Sequence, residues 1–528
     1  MTFDYVIIGA GPAACVLAYR LSADPSVRVL VLEAGARRPS LLRRTLARVT
    51  NWASAGQLWP YETVPQPALH GRRIYLPQGK ALGGASAVNA MTYIRGHPGD
   101  YARWQEAGST GWDPATVLAA FKRLEHNHAI ADEFHGRDGP LSVSDQVRPH
   151  RLSRAFVGTA RELGLPETRD FNGATQEGLG LYQVTQRKGR RCSAADAFLH
   201  SARARRNLTV LTGACATRIV VAGGRAAGVE FRRAGRPALA RADAGVIVSG
   251  GAINSPKLLL LSGIGPADEL RRRAIPVVHD LPGVGRSLQD HLNVQVIARC
   301  RDSTTYDHWD RPLRLLRFGL QYLLFNSGIA TSNLCEGGGF VRSAPHLPAP
   351  DLQLHFMPLI WRDYGRAPHH DSGVTLEIAL LRPESRGRVT LASSDPEADP
   401  LIDPAYCTVP GDLARLVDGI RRGREILAAP SLAHWTTGEL YPGVDVRSDA
   451  DLEAYVRETA VTAYHPVGSC RMGVDDLAVV DPRLRVRGLE ALRVVDVSIM
   501  PSIVSGSTQA PAMMIGEMGA SMMLEDGR

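Results

Sequence analysis

The sequence predicts an α/β fold in which strands and helices alternate along one long chain. Short apolar runs that end near Gly or Asp, such as 246–248 and 492–497, are typical of buried strands. Apolar residues over 413–427 have the spacing of a helix that packs on one face. The chain has 528 residues, and its composition does not change sharply anywhere. We therefore expect more than one domain, with segments that are interleaved along the chain.

The N-terminal segment predicts a doubly wound, Rossmann-type unit. A strand at 4–8 leads into Gly9-Ala10-Gly11-Pro12-Ala13-Ala14, which matches the pattern G-x-G-x-x-[GA]. A helix follows from Pro12 to about residue 21, and a second strand at 27–32 ends at Glu33 and Ala34. This order of elements, more than the motif alone, predicts a dinucleotide-binding site.

Individual residues of this unit suit that role. Gly9 permits the tight turn, and Gly11 lets the backbone approach a pyrophosphate. Pro12 fits the first helical position, where the N–H groups of the helix start, including that of Ala13, face a phosphate. Glu33 stands nineteen residues after Ala14 and is placed to accept hydrogen bonds from ribose hydroxyls. FAD and NAD both fit this pattern.

The charge and cysteine content exclude several classes of protein. The formal net charge is +8, but only four of the 61 basic residues are lysines, a skew that is typical of a GC-rich bacterial genome. The arginine runs lack the interleaved aromatic residues that single-stranded nucleic acid requires, so we expect no nucleic-acid partner. The seven cysteines are scattered without a Cys-x-x-Cys pair, which favours a reducing, cytoplasmic setting. We expect no signal peptide, because a strand is predicted almost from the first residue, and no membrane span, because no apolar run is long enough.

One strand has an alternating pattern. Residues 351–360 place Leu352, Leu354 and Phe356 on one face and Gln353, His355 and Met357 on the other. The pattern predicts a half-exposed strand whose polar face either lines a cavity or meets water.

Five longer segments carry a family resemblance. They are a glycine hinge and small-residue run, a helix-forming segment in which Ser255 is the expected cap and Pro256 the first residue, and three shorter motifs, at 77–96, 251–265, 281–291, 464–473 and 493–501. In this order they resemble the glucose–methanol–choline (GMC) family of FAD-dependent alcohol oxidoreductases, in its choline-dehydrogenase-like branch. The resemblance covers essentially the whole chain. It implies a Rossmann-type FAD-binding domain interleaved with an antiparallel-sheet substrate-binding domain.

The resemblance also implies a division of the chain and a set of cofactor contacts. Residues 1–295 would be mainly FAD-binding, 296–384 would belong to the substrate-binding domain, and 385–528 would complete both. Val88 stands where some relatives have a histidine that bonds covalently to the flavin, so FAD is expected to be non-covalent. Beyond the N-terminal unit, the cofactor-binding residues implied are Trp59, Gly83, Asn89, Ala90, Met91, Thr92, Ala216, Asp496, Val497 and Gln509.

His465, in Tyr464-His465-Pro466, falls at the position of the family's catalytic base. Histidine suits this task because its pKa lies near neutrality. The partner position departs from the family, because Ser507 replaces the usual Asn or His. Ser507 either contacts the substrate oxygen or only packs there, and Gln509 could share the role. Asn293 replaces a glutamate of choline-acting relatives, which counts against choline as the substrate.

The resemblance implies oxidation of an alcohol to a carbonyl, with hydride passing to flavin N5 and the proton to His465. The electron acceptor would be oxygen or a quinone-like carrier. Two alternatives stay open: a non-redox, hydroxynitrile-lyase-like member of the fold, and an FAD-binding protein without turnover. His135 lies in a loop of the family, so no metal is expected. Peripheral contact with an anionic membrane fits the net charge, and the oligomeric state is not predicted.

Overall fold

Two seven-stranded sheets organise the described part of the chain. The computed structural model describes residues 1–36, 56–302, 305–308, 311–325, 327–365, 367 and 369–526. In chain order the strands of the two sheets are β1 (Thr2–Ile8), β2 (Val29–Glu33), β3 (Gly178–Leu181), β4 (Leu208–Thr212), β5 (Ala214–Ala222), β6 (Arg225–Arg233), β7 (Arg236–Val248), β8 (Leu292–Cys300), β9 (Gly337–Val341), β10 (Leu352–Met357), β11 (Gly373–Leu380), β12 (Thr436–Tyr441), β13 (Val461–Thr462) and β14 (Leu492–Val494).

The first sheet is the Rossmann-type sheet that the N-terminal segment predicts. Strands β4, β2, β1 and β7 lie side by side and are parallel. Strand β14 pairs in parallel with the last three residues of β7. The first half of β7 instead pairs with β6 in an antiparallel meander that continues to β5. Residues 29–33 are buried throughout, which explains the unbroken apolar run at 29–32.

The second sheet is antiparallel and has the order β12-β8-β11-β10-β9-β3, with β13 paired to the start of β8. One face of this sheet packs its apolar side chains against four helices and forms a separate hydrophobic core. The other face carries polar side chains. The strand expected over 351–360 is confirmed as β10. The expectation that it is half-exposed is wrong, because all of its residues are buried. Its polar face lines a cavity, the other possibility that the alternation left open.

The helices of the described residues are α1 (Pro12–Leu21), α2 (Pro98–Glu106), α3 (Pro114–Leu124), α4 (Arg151–Glu162), α5 (His200–Ala202), α6 (Gly251–Leu261), α7 (Ala267–Arg272), α8 (Pro312–Phe325), α9 (Pro410–Ala428), α10 (Pro430–Ala433), α11 (Asp449–Thr459) and α12 (Gln509–Asp526). A π-helical turn over Ala195–Leu199 precedes α5. None of these helices is both long and apolar enough to cross a membrane. Short 3₁₀ helices cover Pro67–Leu69, Gly84–Ala87, Ile329–Thr331, Asp363–Gly365 and Val497–Ile499.

Small sheets connect these layers. Among the described residues, the two-stranded sheets are Leu58–Trp59 with Gln78–Gly79, Glu125–Asn127 with Leu141–Val143, Gln186–Arg187 with Arg190–Arg191, and Ile264–Gly265 with His279–Asp280. A three-stranded sheet joins Arg286–Leu288, Gly387–Thr390 and Leu401–Asp403.

The two ends of the chain meet at the Rossmann-type sheet. Helix α12 packs against α1, and buried Glu517 accepts hydrogen bonds from Arg20 at 2.7 Å and Arg123 at 2.9 Å. Helix α12 begins two residues after Ser507. Its packing on α1 therefore brings Ser507 and Gln509 close to the glycine loop that precedes α1.

Candidate active site

A cavity of about 590 Å³ lies between the two sheets. Its walls come from the loops after β1 and β2, the 84–92 loop, the start of α6, the polar face of the antiparallel sheet and the 463–466 and 507–509 segments. The parallel strands β1 and β2 both end at this edge, which is where ligands bind in open α/β sheets.

Nearly all residues that the sequence predicts for the site line this cavity. One differs: Gly83 lies behind the wall because its φ of +91° turns the chain and its N–H donates to the Ala10 carbonyl at 2.8 Å. Gly84 lines the cavity in its place. The predicted residues that do line it are Gly9, Gly11, Pro12, Ala13, Glu33, Ala34, Trp59, Asn89, Ala90, Met91, Thr92, Ala216, His465, Asp496, Val497, Ser507 and Gln509.

The dinucleotide end of the cavity is built around the start of α1. Gly9 takes a φ of +94°, and no side chain of the described residues caps α1, so the helix N-terminus stays open to a ligand. A Cβ on Gly11 would meet its nearest atom only at 3.9 Å, so this space is not filled by protein. The Glu33 carboxylate accepts from the N–H of Ala10 at 2.9 Å and of Gly35 at 2.7 Å. Burial raises the pKa of Glu33 to about 7.

The 84–92 loop crosses the middle of the cavity in a strained conformation. Met91 has a φ of +60°, which is uncommon for a residue with a side chain. Arg191 holds the loop, donating to the Asn89 carbonyl at 2.6 Å and the Asn89 side-chain oxygen at 2.9 Å. The Asn89 amide in turn donates to Gln509. Sequence reasoning missed Arg191, since nothing near it in the chain indicates this contact.

Asp496 lines the cavity and accepts hydrogen bonds at the starts of two helices, α6 and the 3₁₀ helix Val497–Ile499. One carboxylate oxygen accepts from the N–H of Gly251 at 2.8 Å and the hydroxyl of Ser255 at 2.5 Å, and the other from the N–H of Ser498 at 2.8 Å. Burial raises the pKa of this carboxyl. Helix α6 therefore begins at Gly251, and the expectation that Ser255 and Pro256 begin it is wrong.

His465 and His291 form an ordered pair at the far end of the cavity. Their Nδ1 atoms are 3.0 Å apart, and the rings are perpendicular at 89°. His291 Nε2 lies 3.1 Å from the Leu381 carbonyl, which accepts and so requires Nε2–H. Burial lowers the pKa of His291 to about 4, so its Nδ1 carries a lone pair. His465 must then donate from Nδ1–H, which leaves His465 Nε2 unprotonated.

The buried carboxylate of Asp290 fixes the backbone at His465. Asp290 accepts from the His465 N–H at 2.8 Å and from the hydroxyls of Tyr406 and Thr462, each at 2.5 Å. Burial raises the pKa of Asp290 to about 6. Tyr464 has a φ of +64°, so this peptide is held in a conformation that it would not adopt freely.

Ser507 and Gln509 face the cavity in different ways. Ser507 is half-buried and makes no side-chain hydrogen bond to the described residues. Gln509 is buried, and its amide contacts both Asn89 and the Thr185 hydroxyl, the latter at 3.4 Å. A ligand oxygen near His465 would therefore find the Ser507 hydroxyl free.

Sequence reasoning found only part of the polar wall that lines the same cavity as His465. Asn293, His355 and Glu377 line it from β8, β10 and β11. The His355 Nδ1 atom has no hydrogen-bond partner within the described residues. Burial raises the pKa of Glu377 to about 7, and Gln295 donates to its carboxyl at 2.7 Å. The alternation over 351–360 and the position of Asn293 were the signals for this wall, and nothing in the sequence indicated Glu377.

A second cluster of ligand-type side chains lies outside the cavity. Asp132, His135 and Asp170 are close enough to hold a metal ion. The His135 ring, however, already lies 3.1 Å from the Glu125 carboxylate and 3.0 Å from that of Asp170. Both ring nitrogens are used by protein groups.

The sequence matches two models of the GMC oxidoreductase family, over residues 3–293 and 383–516. It is 45% identical to "Alcohol dehydrogenase [acceptor]" of Pseudomonas putida over 99% of this chain and 96% of that protein. It is 43% identical to the mitochondrial choline dehydrogenase of Mus musculus over 99% of this chain and 89% of that one.

The fold matches solved structures of the same kind. A formate oxidase of Aspergillus oryzae RIB40, studied for the effect of a mutation on FAD modification, superposes with a TM-score of 0.92. The two share 27% sequence identity over 99% of this chain and 98% of that chain. With the two family models spanning most of its length and relatives above 40% identity, the chain belongs to the GMC oxidoreductase family.

Proposed function

We propose that this protein oxidises an alcohol to a carbonyl compound with FAD as the cofactor and His465 as the base. The observation that carries the proposal is the hydrogen-bond chain from the Leu381 carbonyl through His291 to His465. This chain fixes one tautomer of His465 and leaves its Nε2 free to accept a proton. The relatives named above are dehydrogenases or oxidases, which supports redox chemistry over a lyase-like reaction.

The residues of the cavity fit FAD. The open N-terminus of α1 and the space beside Gly11 suit a pyrophosphate, and Glu33 suits a ribose. The loop that carries Asn89 would support the isoalloxazine ring. When bound, FAD would supply the acceptor for the hydride that leaves the alcohol carbon.

The protein's own residues would handle the proton. Burial, together with neighbouring His291 and His355, keeps the pKa of His465 well below its ordinary value, so its ring is unprotonated at neutral pH. His465 Nε2 would take the hydroxyl proton as the C–H bond breaks. The resulting imidazolium would keep its Nδ1–H bond to His291. We assign to Ser507 the hydrogen bond to the alcohol oxygen, because its hydroxyl has no partner among the described residues.

We also propose that FAD is held without a covalent bond. Val88 lines the cavity and has no group that could form such a bond. Denaturing the protein with acid and pelleting it should release the yellow colour into the supernatant. A yellow pellet would contradict this proposal.

We propose the division of the chain at 1–295, 296–384 and 385–528 as its functional organisation, with a cytoplasmic setting. The family models cover two segments with similar limits, and the seven cysteines are all free thiols. The acceptor is oxygen or a quinone-like carrier, and oxygen consumption during turnover separates the two.

An anaerobic assay tests the main proposal. Purified holoprotein is mixed with a panel of primary and secondary alcohols, and loss of the oxidised flavin absorbance is followed. We expect at least one alcohol to bleach the flavin, and His465→Ala to slow bleaching by about 10²- to 10⁴-fold with FAD still bound. If no alcohol bleaches bound FAD, the proposal fails and a non-redox or inactive protein is indicated. Near-normal bleaching in His465→Ala would remove His465 from the role of base.

A further inference from the structure

Helix α8 turns an apolar face towards solvent. Five leucines of this helix are half or more exposed, from 50% at Leu320 to 83% at Leu313. At 100° per residue their spacing places them in one stripe about 100° wide. We call this stripe the leucine face, and its members are Leu313, Leu316, Leu320, Leu323 and Leu324.

The leucine face reverses the usual arrangement of a surface helix, whose apolar stripe packs on the core. Five such side chains expose on the order of several hundred Å² of contiguous apolar surface, a size that marks an interaction site. Phe325, at the end of the helix, is also 72% exposed and extends this surface. The helix therefore requires a covering partner.

The charged side chains that the segment 311–335 itself contributes are all positive. Arg311, Arg314 and Arg317 accompany it, and no acidic residue occurs from 311 to 335. Arg317 falls directly beside the edge of the stripe, and Arg314 lies farther along the same side. None of the three forms an ion pair with a carboxylate of the described residues, and Arg314 donates only to the Asp307 carbonyl, at 3.1 Å. Within the described residues, no carboxylate competes with an anionic partner for these guanidinium groups.

We propose that α8 is an interfacial helix that binds this protein to the surface of an anionic phospholipid bilayer. With fourteen residues it is about 21 Å long, which is too short to cross a hydrocarbon core of about 30 Å. It would instead lie flat, with the leucine face at the acyl boundary and the arginines at the headgroups. A second copy is a poorer occupant, because a two-fold contact through α8 would bring the arginines of both copies together.

The segment that carries α8 also builds the wall of the active-site cavity. The 3₁₀ turn Ile329–Thr331 packs against α8, and the next residues, Asn333, Leu334 and Cys335, line the cavity. On the other side of the helix, Tyr306 packs against the apolar cluster that contains Leu334 and Trp361. Docking through α8 would therefore bring this wall close to the lipid, where apolar alcohols and lipid-soluble electron carriers concentrate.

Vesicle flotation of the holoprotein tests the proposal. Vesicles of pure phosphatidylcholine are compared with vesicles that contain phosphatidylglycerol, at low and at high salt. We expect flotation with the anionic vesicles and partial release by salt. Replacing Leu320 and Leu323 by Asp should abolish flotation. Replacing Arg311, Arg314 or Arg317 by Gln should lower partitioning about fivefold for each arginine.

Matched controls separate docking from misfolding. Leu524→Asp places one negative charge, half of that added in the Leu320/Leu323 variant, on another exposed helical leucine and should float like the wild type. Bound flavin and turnover with a soluble artificial acceptor should be unchanged in all variants, which also keeps this test independent of the proposed reaction. The proposal is overturned if the wild type does not float, or if the Leu320/Leu323 variant floats equally well. It is also overturned if the wild type is a dimer that this variant splits without any vesicle binding, because α8 would then be a protein interface.

Discussion

At His465, a backbone carbonyl that the ring never touches sets the protonation pattern of the imidazole. The Leu381 carbonyl requires a proton on His291 Nε2, and His291 then requires a proton on His465 Nδ1. Each step follows from the rule that a neutral imidazole donates from one nitrogen and accepts at the other. The catalytic tautomer is therefore maintained by two hydrogen bonds, one buried and one partly buried.

Replacing His291 tests this chain. His291→Leu leaves the His465 Nδ1–H without an acceptor in a buried site, which costs about 1–3 kcal/mol. We expect the maximal rate of flavin reduction to fall about 10- to 100-fold, with little change in the substrate concentration for half-maximal rate. His291→Asn retains an acceptor oxygen and should recover part of the rate. Equal rates in both variants, measured by anaerobic stopped flow, would show that His291 only fills space.

Ser507 tests the departure from the family pattern. If its hydroxyl binds the alcohol oxygen, Ser507→Ala removes one hydrogen bond of about 0.5–1.5 kcal/mol. We expect the second-order rate constant for flavin reduction to fall about 2- to 13-fold, with the bound-flavin spectrum unchanged. A variant as fast as the wild type would assign Ser507 to packing. Ser507→Asn, which restores the usual family residue, serves as the comparison.

At the scale of elements, a contact between distant segments sets the start of helix α6, which local sequence patterns did not predict. Helix α6 begins at Gly251 because Asp496, 245 residues later in the chain, accepts its first N–H. Ser255 and Pro256 have the local features of a helix start, and the sequence alone favours that position. The helix predicted from Pro12 to about residue 21 is confirmed at Pro12–Leu21, since its start depends on Pro12 and the preceding turn.

Two glycine loops interlock beside the predicted pyrophosphate position. A Cβ on Gly84 would lie 2.8 Å from the Gly11 Cα, a backbone atom that cannot rotate away. Gly84 also has a φ of +52°. Gly84→Ala should therefore separate the loops, and we expect the purified protein to lose most of its FAD.

A second glycine provides the control for that experiment. Gly164 has a φ of +64°, but a Cβ there would meet no atom within 4 Å. Gly164→Ala carries the same backbone strain without the collision, so it should keep FAD. The ratio of flavin to protein absorbance measures both variants. Equal FAD content in the two would show that the loops adjust to the added methyl group.

For the whole molecule, the sequence predicts the contiguous N-terminal strand–turn–helix–strand well. It predicts poorly which strands pair when they are far apart in the chain. The strand–turn–helix–strand at the N-terminus is contiguous, so its residues indicate both the fold and the cofactor class. The polar wall of the cavity depends on the register that pairs His355 with Glu377 across two strands. No local pattern carries that register, and Glu377 was therefore not among the predicted site residues. The family resemblance supplied His465, because its motif is short and distinctive.

The stability of the molecule should fall on the alkaline side because of a buried charged cluster. His135 is enclosed by Glu125 and Asp170, and Glu125 also pairs with buried Arg95. Burial alone would lower the pKa of His135, but its hydrogen bonds to the two carboxylates outweigh this and raise the pKa to about 9. The ordinary pKa of an unfolded histidine is about 6.5. The native protein therefore keeps a proton between these values that the unfolded chain has released.

A group whose pKa is raised on folding stabilises the native state below its unfolded pKa, and this contribution is lost as pH rises to its folded pKa. For His135 the free energy of unfolding should fall between about pH 6.5 and 9, by up to about 1.4 kcal/mol per pH unit. His135→Gln should lower stability at neutral pH, since it removes the cation beside Asp170 and leaves buried Glu125 with Arg95 as its remaining cationic partner. Its stability should then change less between pH 7 and 9. Melting temperatures of both holoproteins over this range provide the measurement, and parallel curves would show that His135 is neutral in the native state.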